Sequence, residues 1–122
     1  MILADTAIWI AHFRGQCPEM RPLLARREIV THPFVVAELA LGSLKDRTAT
    51  LEELDKLSGV RVAYLSEVRA LIETHSLFSR GIGLTDAHLI ASCLMTAGTH
   101  LWTRDQALAQ TARALGIHAN LT

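Results

Sequence analysis

A chain of 122 residues fits one domain, spanning 1–122 and large enough to bury roughly two thirds of its unfolded surface without a disulfide framework or a structural metal. Twelve Lys+Arg stand against twelve Asp+Glu, so the formal net charge is zero and the global basic footprint of a non-specific nucleic-acid binder is excluded. Any nucleic-acid contact must therefore be local, and the preponderance of Arg over Lys supplies side chains suited to phosphate.

Met1 to Ala4 is a short apolar run ending on Asp5-Thr6, which predicts a buried first strand whose first polar group stands at its carboxyl end. A short helix is expected over Ala7 to Phe13, stopped by Gly15, then a second helical stretch punctuated by Pro18 and Pro22 through Arg27. Ile29 to Thr31 reads as a second strand. Pro33 to Leu41 suits a helix with Pro in its first turn and Gly42 just past its end, apolar throughout except Glu38. A helix apolar on every side is expected to be buried, and Glu38 with it.

Thr50 and Glu53 have the spacing of a capping box for a helix carrying Leu51, Leu54 and Leu57 and closing at Gly59. Val60 to Leu65 is expected as a further strand, and Ser66 as the cap of a helix to about His75. After a loop over Ser79 to Gly83, a strongly apolar helix runs to Gly98 with Asp86 at its head. At 100° per residue Asp86 shares a stripe with Ile90, Cys93 and Ala97. His100 to Thr103 is a short strand, Thr103 and Gln106 form a second capping box, and the helix bearing Leu108, Ala112 and Leu115 ends at Gly116. Ile117 to Asn120 is expected as an edge strand. Strands alternating with helices imply a three-layer α/β/α sandwich with a central parallel sheet, Rossmann-like in type.

In such a sheet the functional crevice lies beyond the carboxyl ends of the strands. Asp5, Asp86 and Asp105 all map to that rim, and Glu38 is the acid of the otherwise apolar helix. Each acid taken singly reads as a helix cap, and a non-catalytic α/β binding module with the acids as caps is the alternative. Taken together, carboxylates within about 4–6 Å of one another repel unless a cation is present. Oxygen-only ligands favour Mg²⁺ or Mn²⁺, ions that bridge one or two carboxylates to substrate phosphate, which points to phosphodiester hydrolysis.

Asp5-Thr6, Glu38 with Gly42, Thr85-Asp86-Ala87 through Ile90-Ala91, and Leu101-Trp102-Thr103-Arg104-Asp105 together resemble the PIN-domain ribonucleases, specifically the VapC toxins of type II toxin-antitoxin pairs. The resemblance covers essentially the whole chain. It implies a metal-dependent endoribonuclease in which Asp5 and Asp86 are the principal Mg²⁺ or Mn²⁺ ligands, Glu38 supports metal and water, and Asp105 is the outer member of a catalytic quartet. Thr6 and Thr103 would orient carboxylates or the scissile phosphate, and Arg104, beside Asp105, is the candidate for substrate phosphate. Family members often carry Ser after the Asp-Thr pair; this chain has Ala7, which removes one hydroxyl from the pocket rim. The resemblance further implies an RNA substrate, a VapB-like antitoxin whose tail would lie between the early helices near Ile8, Trp9 and Phe13, and a homodimer extending to a higher-order complex.

Cys17 and Cys93 lie far apart and form no zinc motif, so both are expected as free thiols in a reducing cytosol. No apolar run approaches the roughly 20 residues of a membrane span and no signal peptide opens the chain, which predicts a cytoplasmic protein with no membrane partner. The six histidines show no metal-ligand spacing and most are expected as surface or satisfied structural groups, with a rim contact left open for His88, and Trp9 and Trp102 are expected as core.

Overall fold

The computed structural model describes all residues, 1–122. Three parallel strands form the sheet: β1 (Ile2–Ala4), β2 (Ile29–Val30) and β3 (His100–Trp102), in the order β2-β1-β3. Ile2 pairs with Ile29 on one side of β1 and with His100 on the other. Seven helices follow in chain order: α1 (Thr6–Phe13), α2 (Met20–Ala25), α3 (Pro33–Leu41), α4 (Arg47–Asp55), α5 (Leu65–Thr74), α6 (Leu84–Met95) and α7 (Gln106–Ala114). α1 packs on α3 and α3 on α4, while α5 packs on α6. Right-handed crossovers that leave β1 toward β2 and later return past it toward β3 put these two groups on opposite faces. The expected α/β sandwich is what forms.

The core runs through both faces. Leu3, Ile8, Met20, Val35, Leu89, Ile90, Leu101, Trp102 and Leu108 are all buried, Trp102 completely. Trp9 is buried as well, so both tryptophans are core side chains as the sequence predicts. A smaller cluster of Ala63, Val68, Ala87 and Ala91 sits where α5 meets α6, and its small side chains let the two helices approach closely.

Two expected strands shrink to single bridges. The one placed at Val60 to Leu65 survives only as the pairing of Thr31 with Gly59, with the Val60 N–H on the Thr31 carbonyl at 3.0 Å. Past that point β2 offers nothing to pair with, because the chain turns into α3 at Pro33, which has no N–H. Arg61 N instead donates to Thr96 Oγ1 at 3.2 Å and the chain enters α5 at Leu65. The C-terminal edge strand is likewise one bridge, Leu101 with His118.

Helix ends depart from the expected caps where a nearer acceptor wins. α4 begins at Arg47, and Thr50 lies inside it with its hydroxyl on the Lys45 carbonyl. α5 begins one residue before Ser66, with Glu67 accepting from the Tyr64 N–H at 2.9 Å. α7 is capped by Asp105, whose Oδ1 accepts from Leu108 N at 2.8 Å, and not by Thr103. α6 ends at Met95, short of Gly98.

α3 overturns one expectation outright. Val35 and Leu39 face the core, but Phe34, Ala37, Glu38 and Leu41 face outward, Leu41 being 88% exposed. An all-apolar helix can thus present one unpartnered face, and Glu38 is an exposed acid. In α1, Ile8 and Trp9 are fully inside and the outward apolar side chains are Ile10 and Phe13.

His32 caps α3 through Nδ1, which accepts from Phe34 N at 3.0 Å. Burial, aided by the neighbouring His88, lowers its pKa to about 4, so it is neutral near pH 7. The unfolded chain therefore takes up this proton first as pH falls from 6.5 toward 4, and native stability is lost across that window. His32→Asn, which keeps a capping oxygen, is expected to remove about 2 kcal/mol of the loss between pH 7 and pH 5, read by urea denaturation at each pH.

Candidate active site

β1 ends and α1 begins at Asp5, and this junction lies at the point where the sheet's connections reverse, between β1 and β3. Asp5 N donates to the Trp102 carbonyl at 3.0 Å, carrying the β1–β3 ladder to its last rung. The side chain is buried. Its Oδ1 accepts from Ile8 N at 3.0 Å, capping α1, and its Oδ2 accepts from the Thr103 hydroxyl at the end of β3. Thr103 Oγ1 in turn accepts from Asp105 N at 3.1 Å. One hydroxyl thus ties the first strand's acid to the loop that carries the last one.

The remaining acids arrive on separate elements. Thr6, the first residue of α1, donates its hydroxyl to Glu38 Oε1 at 2.8 Å, drawing the exposed acid of α3 toward the end of β1. Asp86, third residue of α6 and half-buried, accepts from Gly83 N at 3.3 Å through Oδ2. Its helix presents Ile90 and Cys93 to the core as the stripe predicts, whereas Ala97 lies beyond the helix end and is exposed.

The four charges act on one another. Burial pushes the Asp5 carboxyl above its ordinary value, the bonds from Thr103 and Ile8 pull it back, and the negative charges of Asp86 and Asp105 push it up again. Asp86 is raised likewise, by burial first, against the pull of the Gly83 N–H and with the push of Asp105 and Glu38. Neither acid has a basic partner, since every ion pair in the protein lies elsewhere: Arg26–Glu28, Lys56–Glu53 and Arg61–Glu67.

A hard divalent cation fits this donor set. All the oxygens are carboxylate, the local charge is negative and uncompensated, and each acid spends oxygens on the scaffold without exhausting its lone pairs. No three acidic, histidine or cysteine side chains close a ligand cage by themselves. That suits an ion such as Mg²⁺, which keeps waters and takes substrate oxygens to complete its shell.

The motif set spans the chain, and so does the family that it matches: the PIN domain model covers residues 2–114. The chain belongs to the PIN-domain family. It is also 39% identical over 117 residues to proteins named Ribonuclease VapC32 in two strains of Mycobacterium tuberculosis, CDC 1551 / Oshkosh and H37Rv, an alignment that takes in 96% of this chain and 94% of theirs. These relatives put it with the VapC members of the PIN family.

Within this PIN domain the other candidates divide. Thr6 and Thr103 both bond a site carboxylate. Arg104 turns its guanidinium away, donating from Nε to the Thr122 carbonyl at 2.8 Å and from Nη1 to the Gln16 carbonyl at 3.4 Å, which leaves Nη2 without a protein partner. His88 is buried, not a surface group, with its ring 4.5 Å from Phe34 and 6.2 Å from His32, and its Nδ1 has no protein partner. Its i+2 offset from Asp86 gave no sign of this; the His32-Pro33 pair at a helix start was the readable half of the contact. Both cysteines are free and buried, and burial pushes the Cys93 thiol up to about 12, so it is inert near neutral pH.

An acid whose folded pKa is raised costs stability when it ionises, so the penalty is present at neutral pH and disappears on acidification below 3.8. In metal-free buffer near pH 7, Asp86→Asn is expected to raise Tm by about 2–5 °C, with the gain shrinking toward pH 4; added Mg²⁺ should raise the Tm of the unsubstituted protein and not of the variant. A lower Tm for Asp86→Asn at neutral pH would show that the carboxylate is needed as a cap and carries no electrostatic penalty.

Proposed function

We propose that this protein is a divalent-metal-dependent endoribonuclease toxin of the VapC kind, with Asp5 and Asp86 as the Mg²⁺ or Mn²⁺ ligands. The observation that carries the reading is the set of four carboxylates in which Asp86 is coupled to each of the other three, with no ion pair to any of them. The name of the Mycobacterium tuberculosis relatives supplies the substrate class, RNA. A bound divalent ion would offset the carboxylate charge and act as a Lewis acid toward the scissile phosphate.

The chain's own residues then have distinct tasks. Thr103 and the Ile8 N–H fix the orientation of Asp5. Thr6 holds Oε1 of Glu38 and leaves Oε2 to orient a water and take its proton as it attacks phosphorus in line, while the P–O bond opposite breaks and the departing sugar oxygen takes a proton from solvent. Asp105 sits one residue outside, holding α7 through Oδ1 with Oδ2 available to solvent or cation waters. Arg104 Nη2 is the atom left for a substrate phosphate. A binding module with acids as caps explains Asp5 and Asp105, which cap helices, and the Asp86 bond to Gly83 N, but leaves the convergence of these acids with Glu38 without a reason.

A VapB-like antitoxin completes the reading. A groove of about 580 Å³ runs along α1 and α3, lined by Ile10, Phe13, Glu38, Leu39, Leu44 and Lys45 among others. Glu38 lines it together with four apolar side chains and the basic Arg14 and Lys45, so an amphipathic segment lying in it could bring a guanidinium to the carboxylates. A homodimer and cytoplasmic residence belong to the same proposal. Exposed Val62, Tyr64 and Leu65 at the head of α5 support self-association, and the buried free thiols suit a reducing compartment. No helix is long and apolar enough to cross a membrane.

Purified protein is expected to cleave cellular RNA with Mg²⁺ or Mn²⁺ and to stop in EDTA. Asp5→Asn should fold and lose at least about 100-fold in rate, since the amide keeps the cap and the shape but not the charge. Cleavage that persists in EDTA, or in Asp5→Asn, would sink the mechanism. Expression alone should arrest growth, and co-expression of the cognate antitoxin should relieve it. If an antitoxin guanidinium fills the acidic site, Mg²⁺ should weaken antitoxin binding to the unsubstituted protein more than to the Asp5→Asn, Asp86→Asn double variant; equal weakening would mean that the antitoxin only covers the groove.

A further inference from the structure

The loop between α5 and α6, residues 76–83, is held in a fixed and costly shape. Its Leu77 is buried, with its N–H on the Ile72 carbonyl at 2.9 Å. Ser76 and Ser79 both adopt left-handed backbone, φ 51° and 60°, where a residue with a Cβ is disfavoured. Gly81, φ 75°, faces α7 so closely that an added Cβ would meet Ala107 Cβ at 3.6 Å. The loop therefore lies against the first turn of α7, capped by Asp105, and feeds directly into α6, which carries Asp86.

What the loop displays from this position does not serve packing. Phe78, next to the buried Leu77, is 57% exposed, and so is Leu84 at the start of α6. Arg80 is exposed and in no ion pair. Its Nε donates to the Ser76 carbonyl at 2.8 Å, which braces the side chain and leaves both terminal nitrogens free.

A polyanion approaching four carboxylates needs positive charge for the phosphates on either side of the one being cut. Arg104 has already committed Nε and Nη1 to carbonyls. Arg80 has committed Nε alone, and this bracing has removed part of the rotamer entropy that binding would otherwise cost. An exposed ring beside a guanidinium is the pairing that holds single-stranded RNA, one stacking on a base and the other on a phosphate. We propose that this loop is an RNA-docking element, in which Phe78 stacks on a base flanking the scissile bond and Arg80 binds the adjoining phosphate. The inference rests on the ribonuclease reading above and names the part of the surface that holds that substrate.

The test measures binding of fluorescein-labelled, random-sequence single-stranded RNA of about 12 nucleotides by anisotropy, with the full chain in EDTA so that no cleavage occurs. Phe78→Ala is expected to weaken binding by about tenfold or more, and Phe78→Trp to restore it. Arg80→Gln should flatten the slope of log affinity against log salt by about 0.7, the share of one phosphate contact on a single strand. Unchanged affinity in Phe78→Ala with an unchanged slope in Arg80→Gln, while the unsubstituted protein still cleaves RNA with Mg²⁺, would overturn the docking loop and leave the ribonuclease reading standing. Failure of the unsubstituted protein both to bind and to cleave RNA would remove that reading and this inference with it. A change in sedimentation of Phe78→Ala with RNA binding intact would make the loop a protein interface, which also overturns the proposal.

Discussion

The carboxylate of Asp5 is the group on which the rest of the structure depends. It closes the last rung between β1 and β3 through its backbone, caps α1 with one oxygen and takes the Thr103 hydroxyl with the other. These bonds hold a buried charge that desolvation and two neighbouring acids both oppose. The site is therefore built at a cost in free energy that the fold meets elsewhere, chiefly through the apolar burial of the Leu3, Leu101 and Trp102 layer directly beneath it. A cation at the proposed metal site would offset this cost.

Capping and metal binding compete as explanations when each acid is read alone, yet they coincide here. Asp5 and Asp105 are true N-caps with side-chain bonds to Ile8 and Leu108. A cap is also a rigid mount, because the helix N-terminus fixes the carboxylate's direction and its dipole favours the negative form. Parallel strands that each end at a capped helix deliver their acids to one edge without any further device. This is why a sheet of only three short strands is enough to assemble the site.

Much of this was legible in the sequence, and what was not has identifiable causes. The order of strands and helices, the rim position of Asp5, Asp86 and Asp105, and the burial of both tryptophans follow from apolar runs and their punctuation. The strand expected after Gly59 did not form, because its partner β2 stops short of Pro33, a fact about pairing that local propensity does not contain. Glu38 was expected inside and lies outside, because an apolar helix face shows how much surface wants cover and not which molecule covers it. Thr103 is not the cap of α7 that its spacing suggested but the hydroxyl between Asp5 and Asp105, the carboxylate-orienting place that the resemblance implied for it, reached over 98 positions of sequence.

That same misplacement of Glu38 alters how the site must be understood. Three of the acids are fixed by the sheet and by helix starts, but Glu38 is exposed on a helix whose outer face is apolar, and a single hydroxyl, Thr6, draws it inward. Ile10 and Phe13 continue that face on α1. A molecule seated in the groove between α1 and α3 would meet Ile10, Phe13 and Glu38 together, and Glu38 carries the bond from Thr6. Occupancy of the groove is then coupled to the proposed catalytic acids through one side chain, with no need for a shift in the sheet. On the proposed mechanism, a molecule seated there would cover Glu38 and keep water from the acid assigned to activate it.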